Sequence, residues 1–141
     1  MTAHATGREG GTRALVERLF EAYNTHDPEV AAGLYAEQGT HTETAHQRQV
    51  AGRGAVQQGL QRFFAMFPDA RWDLLRLMVD GSEAGAAYRL TGSLRGQMGP
   101  IQGAGQMLDL RGVLLITTDS EAILATEDYW DAHTFQRQMQ A

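Results

Sequence analysis

The stretch Phe63-Phe64-Ala65-Met66-Phe67-Pro68-Asp69-Ala70-Arg71 (63–71) decides how this chain is read. Up to Phe67 it continues a helical stripe, in which Val56, Leu60, Phe63, Phe64 and Phe67 recur at three- and four-residue spacing. Pro68 ends that helix, since proline has no amide hydrogen to donate and its ring crowds the preceding turn. Beyond it the pattern reads as strands. Residues 70–79 form one, and Asp80-Gly81 is a good turn pair. Residues 84–94, carrying Tyr88, form a second. A Gly-rich bend from Gly96 to Gly105 holds Met98 and Pro100. Residues 107–117 form a third long strand, Asp119-Ser120 turns the chain, and residues 122–130 form a fourth.

Upstream of Pro68 helical signals dominate. Thr12 can cap a first helix whose inner face carries Leu15, Val16, Leu19, Phe20, Ala22 and Tyr23. Asp27-Pro28 is a second start signal, an acid at the cap followed by proline at the first helical position. The helix it opens is expected to end near Tyr35. Thr40 to Ala45 reads as a short strand, and Gly52-Arg53-Gly54 opens the third helix. Helices first and strands second predict an α+β fold. A curved antiparallel sheet wrapped on the helices would make a cone with one open mouth. Residues 1–12 are polar and Gly-rich, so a disordered tail is expected there, followed by a single domain over 13–141.

Composition narrows the chemistry. The net charge is −5 and no basic run is interleaved with aromatics, which argues against a nucleic-acid surface. There is no Cys, and all twelve basic residues are Arg. Thiol nucleophiles, disulfides, Schiff-base lysines and a P-loop lysine are therefore excluded. The apolar runs fall far short of the roughly 20 residues that a membrane span needs, and a cytoplasmic protein is expected.

The closing stretch Thr126-Glu127-Asp128-Tyr129-Trp130-Asp131 places a carboxylate among bulky neighbours just before a terminal helix. Burial in an apolar pocket disfavours a charged carboxylate and raises its pKa, so such a group can take a proton and return it. Asp128 shares a strand face with Thr126 and Trp130. His41 and Glu43 share one face of the early strand and could polarise a carbonyl or tune Asp128. His46 precedes a polar loop and is expected to be exposed. Tyr23, Tyr35, Phe64, Met66, Trp72, Tyr88, Met98 and Met107 are candidates for a cavity wall. No His-x-His or His-Glu-x-x-His spacing occurs, so no metal and no cofactor is called for.

Several segments, in order, resemble the SnoaL-like polyketide cyclases of the NTF2-like superfamily. They are Leu-Phe-Glu-Ala-Tyr-Asn-Thr-His-Asp (19–27), Gly-Arg-Gly-Ala-Val (52–56), Phe-Pro-Asp-Ala-Arg (67–71) and Thr-Gly-Ser-Leu-Arg-Gly (91–96). Arg111-Gly112-Val113, Asp128-Tyr129-Trp130-Asp131 and Gln138 complete the set, so the resemblance runs from about Leu15 to Met139. It implies a cone of three N-terminal helices packed in a curved antiparallel sheet around an apolar cavity. It also implies a cofactor-independent cyclase that closes a polyketide ring by an intramolecular aldol reaction. The acid/base residue of those cyclases lies on the last strand, three residues before the Asp that opens the terminal segment. That position is Asp128, with Asp131 structural and His41 where those enzymes carry a polar cavity residue. Their cavity histidine on the preceding strand is replaced here by Leu114, which with Trp130 is expected to line the pocket.

Two other functions fit the same fold. One is an epoxide-opening cyclase or hydrolase, in which Asp128 with His41 or Glu43 would protonate the epoxide and steer an internal hydroxyl into the ring. Asp109 and Arg111 could supply part of an Asp–Arg–Asp set, but both face outward if Leu114 faces inward. The other is a non-catalytic protein that binds a hydrophobic small molecule. A homodimer or homotetramer is expected, because Val113 and Leu115 are too apolar for open solvent.

Overall fold

A computed structural model describes residues 2–119 and 121–140, with side chains from Gly7 onward. The first helix, α1 (Thr2–Asn24), buries Leu15, Val16, Leu19, Phe20 and Tyr23, the stripe set by their spacing. It does not begin at Thr12. That residue is wholly buried within the helix, where its hydroxyl lies 2.8 Å from Thr118 Oγ1 and donates to the Gly81 carbonyl at 2.9 Å. Residues 2–12, within the segment expected to be a disordered tail, are therefore helical, and Thr12 clips the helix to the sheet instead of capping it.

Asn24 ends α1 with two hydrogen bonds. Its Nδ2 donates to the Trp72 carbonyl and its Oδ1 accepts from the Trp72 amide, both at 2.8 Å. Helix α2 (Pro28–Gly33) starts as the sequence predicts, with Asp27 accepting from the Val30 amide and Pro28 in the first turn. It stops sooner than expected, and Tyr35 opens strand β1 (Tyr35–Glu43). A one-turn 3-10 helix (Thr44–His46) leads into β2 (Arg48–Ala51), which the sequence did not signal. Gly52 sits at φ 93°, a left-handed conformation open to glycine, and turns the chain into α3 (Arg53–Met66).

The remaining strands are β3 (Arg71–Asp80), β4 (Glu83–Ser93), β5 (Gln97–Met98), β6 (Ile101–Gln102), β7 (Met107–Thr118) and β8 (Ile123–Trp130). Helix α4 (Ala132–Gln140) follows. The expected turn at Asp119 is present, its carboxylate accepting from the Glu121 and Ala122 amides at 3.0 and 2.8 Å. Ser120 lies outside the described residues. The main sheet runs β2-β1-β8-β7-β4-β3. It is antiparallel except for β1 beside β8, which are parallel. Register shifts at Tyr35/Thr40, Leu74/Arg76 and Thr117/Thr118 bend it over the helices.

Two side chains close one end of the sheet. Asp69, just after Pro68, accepts from the Ser93 amide at 2.8 Å and the Ser93 hydroxyl at 2.7 Å. On the far side of β7, whose Met107 pairs with Ser93, β8 stops at Trp130, opposite Gly112, and leaves residues 107–111 of β7 without a strand on that side. Gln138 of α4 takes its place, accepting from the Asp109 amide at 2.9 Å and donating to the Asp109 carbonyl at 2.8 Å.

The inward face of β7 is set by alternation. Leu108, Leu110, Leu114 and Ile116 are buried, while Asp109 and Arg111 point out. Met107 shares the parity of the outward set and is 69% exposed, so it does not line a cavity as the sequence reading had it. Asp109 forms a two-bond ion pair on the outer face with Arg89, at 2.8 and 2.9 Å.

Gly112 is the one position on this face without a side chain, and Tyr88 uses the space. Tyr88 is its cross-strand partner on β4, and a Cβ at position 112 would run into the Tyr88 phenol. Gly112→Ala should therefore destabilise the protein by roughly 1–3 kcal/mol, the usual range for overpacking. Urea unfolding followed by tryptophan fluorescence measures it, with a lowered midpoint and an unchanged slope expected.

Candidate active site

Between α3, the concave face of the sheet and the start of α4 lies a cavity of about 410 Å³. That is the size range of small-molecule sites. Its walls are mostly apolar, with Val56, Leu60 and Phe63 from α3, Leu90, Leu108 and Leu110 from the sheet, and Phe135 from α4. Val56, Leu90, Leu108 and Leu110 are themselves buried in the core. The cavity is thus a gap in the hydrophobic interior with few polar groups turned into it.

Asp128 is the central one. It is half-buried on β8 with its side chain in the cavity. Its Oδ1 accepts a hydrogen bond of 2.6 Å from the Tyr88 hydroxyl. No other side chain among the described residues bonds to the Asp128 carboxylate, so Oδ2 remains available to a ligand. Burial pushes the carboxyl up to about 6. The Tyr88 bond pulls the other way and the negative charge of Glu43 adds a smaller upward push, so desolvation wins. Tyr88, buried and next to that carboxylate, is held well above the ordinary phenol pKa and stays a donor.

The parallel pairing of β1 with β8 brings the other polar groups alongside. Glu43 lies opposite Asp128 and His41 opposite Thr126. His41 Nδ1 is 2.7 Å from Thr126 Oγ1, and the Tyr35 hydroxyl is 2.6 Å from the same oxygen. Burial lowers the His41 pKa more than Glu43 raises it, which keeps the ring neutral near pH 7. Glu43 Oε1 lies 2.6 Å from His46 Nδ1, and the His46 ring stands edge-on to Trp130 at 5.2 Å. His46 is exposed, as expected, and also lines the cavity with Glu43. Arg48 and Arg62 complete its exposed rim.

The sequence-predicted residues divide cleanly. Asp128, His41, Glu43, Tyr23, Tyr35, Trp72, Met98, Trp130 and Met66 meet in the cavity. Four others do not line it. Phe64 stacks on His26 at 4.4 Å, outside the wall, because His26 is anchored by a 2.7 Å hydrogen bond to the Ala70 carbonyl. Leu114 is buried and faces Asp128 across the β7–β8 ladder but packs into the core beneath it. Met107 points to the outer face. Tyr88, expected as wall, is instead the partner of Asp128. Glycine inside a strand signals a close approach, and Gly112 beside Tyr88 was the clue to it. Thr126, Arg48 and Arg62 were not anticipated.

Among the described residues no cluster of three His, Asp or Glu side chains could hold a metal ion, and no helix is long and apolar enough to cross a membrane.

No protein of curated function matches this sequence. Solved structures match its fold closely. A candidate SnoaL-like polyketide cyclase from Jannaschia sp. CCS1 superposes with a TM-score of 0.86 at 20% identity, covering 95% of this chain and 94% of its own. A candidate polyketide cyclase from Xanthomonas campestris pv. campestris gives 0.82 at 22% identity, covering 94% and 98%. A protein of ketosteroid isomerase-like fold from Catenulispora acidiphila, solved in complex with trimethylamine, gives 0.78 at 19% identity, covering 89% and 92%. At these identities what is shared is the fold, an α+β cone of the NTF2-like and ketosteroid isomerase-like type. The family model for the SnoaL-like domain matches residues 16–125, most of the chain, and the chain belongs to that family.

Proposed function

We propose that this protein is a cofactor-independent cyclase that closes a ring in a polyketide-type small molecule, with Asp128 as general acid and base. The observation that carries the reading is the state of one carboxylate. It faces an apolar cavity, one oxygen is held by Tyr88, and the other is open. With a pKa of about 6 it is mostly ionised at neutral pH, yet basic enough to accept a proton from an acidified carbon. The names of the structural relatives agree with such chemistry at the level of the fold.

The reaction runs in two proton transfers. Asp128 Oδ2 removes a proton from a carbon flanked by two carbonyls, whose conjugation holds the enolate. The enolate carbon attacks an acceptor carbonyl in the same molecule. The new carbon–carbon bond forms as the carbonyl π bond becomes an alkoxide. Protonated Asp128 then delivers its proton to that oxygen, so no atom is gained or lost. The apolar walls keep water from quenching the enolate, and the chain needs no lysine, which it lacks.

Epoxide opening through an Asp109–Arg111 set is a weaker fit, because Asp109 is engaged by Arg89 on the outer face, away from the cavity. A binding-only role is favoured by one observation, the apolar Leu114 opposite Asp128. A β-diketone carrying a pendant ketone is the probe that separates these readings, assayed beside an epoxide analogue. Turnover of the diketone by the wild type is expected. Asp128→Asn should then lose on the order of 10²–10⁴-fold in kcat, the usual worth of a placed acid/base group. Near-wild-type turnover by this variant would remove Asp128 from the mechanism. Unchanged affinity with no turnover by either protein would establish binding alone.

The kcat/KM of the wild type should rise with pH through about 6, as Asp128 becomes the carboxylate. The other titratable groups around it are Glu43, His41 and His46 near β1, Tyr88 on β4, and Tyr23 and Tyr35 behind. Tyr88→Phe removes the hydrogen bond that favours the ionised form, so its pH–rate limb should move upward. A limb that stays in place would show that Tyr88 does not tune the carboxylate.

The same shift predicts a stability effect. Because the folded pKa lies above the unfolded one, the native state retains a proton that the unfolded chain gives up. Folding is therefore favoured in acid, and the burial penalty emerges as pH rises through about 6. Asp128→Asn should raise the Tm at pH 8 and leave no such gain at pH 4. The gain at pH 8 is at most about 3 kcal/mol for a two-unit shift, reduced by water reaching Oδ2. Thermal unfolding at both pH values tests it.

A further inference from the structure

Thr126 has no exposed surface, sits on β8 two residues before Asp128, and does not line the cavity. Its hydroxyl nevertheless touches two groups that do, Tyr35 and His41. Acidity assigns a direction along this chain. A phenol is a stronger donor than an aliphatic hydroxyl, so across the 2.6 Å contact the Tyr35 proton goes to Thr126 Oγ1. Burial holds the Tyr35 phenol above its ordinary pKa, and it remains a donor.

Thr126 then has one proton to place and two acceptors within reach. His41 Nδ1 lies at 2.7 Å and the Thr40 carbonyl at 3.5 Å. The second distance is at the limit of a useful hydrogen bond. The proton therefore goes to His41 Nδ1. A neutral imidazole that accepts at Nδ1 carries its hydrogen on Nε2. No described side chain bonds to Nε2, and the ring lines the cavity.

We infer that Thr126 is a positioning residue whose hydroxyl locks neutral His41 in the Nε2–H form, so that His41 presents a donor to a carbonyl oxygen of the substrate. This role rests on the acid/base reading of Asp128. It divides the labour between neighbouring strands, with Asp128 moving the proton and His41 steadying the oxygen that turns negative. A fixed donor aimed at a developing oxyanion needs no reorganisation during the reaction. It also accounts for a histidine that is half-buried, neutral and bonded on one side only.

The tautomer can be read without any substrate. In protein labelled with 15N-histidine at pH 7.5, long-range 1H–15N correlation distinguishes the two ring nitrogens. His41→Gln identifies the His41 signal among the five histidines. Protonated Nε2 with bare Nδ1 is expected in the wild type and in Thr126→Ser. Thr126→Val should release the ring to Nδ1–H. On the diketone probe it should lower kcat on the order of 10–10²-fold with little change in KM, part of the loss typical for an oxyanion donor. Thr126→Ser should restore the rate.

Nδ1–H in the wild type would overturn the inference, as would an unaltered tautomer in Thr126→Val or failure of serine to rescue. If the valine variant does not fold, the wild-type spectrum alone decides. The expected spectrum with a wild type that turns over no probe would sink the Asp128 reading and leave the tautomer lock standing.

Discussion

The hydrogen bond from Tyr88 to Asp128 is the constraint around which the rest of the site is arranged. It spans three strands, because the phenol leaves β4, crosses β7 and ends on β8. It can do so only because Gly112 offers no side chain in its path. The bond fixes one carboxylate oxygen and thereby leaves the other as the working atom. It also offsets part of the desolvation that would otherwise push the acid higher still. An Asp with its pKa much further raised would be mostly protonated at neutral pH and unable to serve as a base. The tyrosine therefore holds both the geometry and the charge state within a useful range.

Much of the fold was legible because its signals were local. Pro68 ends α3, Asp27-Pro28 starts α2, and period-two runs mark the long strands. What was not legible depended on distant partners. Thr12 has the side chain of a helix cap, and only the presence of Thr118 and Gly81 beside it makes it a buried clip. Met107 looks like a cavity residue until the parity of β7 is fixed by Leu108 and Leu110. β2 has no apolar alternation of its own and is a strand because β1 pairs with it.

The site shows the same division. Asp128, His41 and Glu43 could be named from their places on strand faces, and the parallel pairing of β1 with β8 sets them side by side. Their protonation was not readable, since it follows from burial and from neighbours on other strands. The role of Leu114 was also misread. Standing where a cavity histidine was looked for, it was expected to line the pocket, whereas it is buried in the core across the ladder from Asp128.

Gln138 offers a last consequence. By meeting both polar groups of Asp109, one glutamine amide seals a margin of the sheet that β8 leaves bare. Unsealed, that margin would be a template onto which a foreign chain could zip, the first step toward domain exchange or fibres. The C-terminal helix thus covers that strand edge as well as walling the cavity.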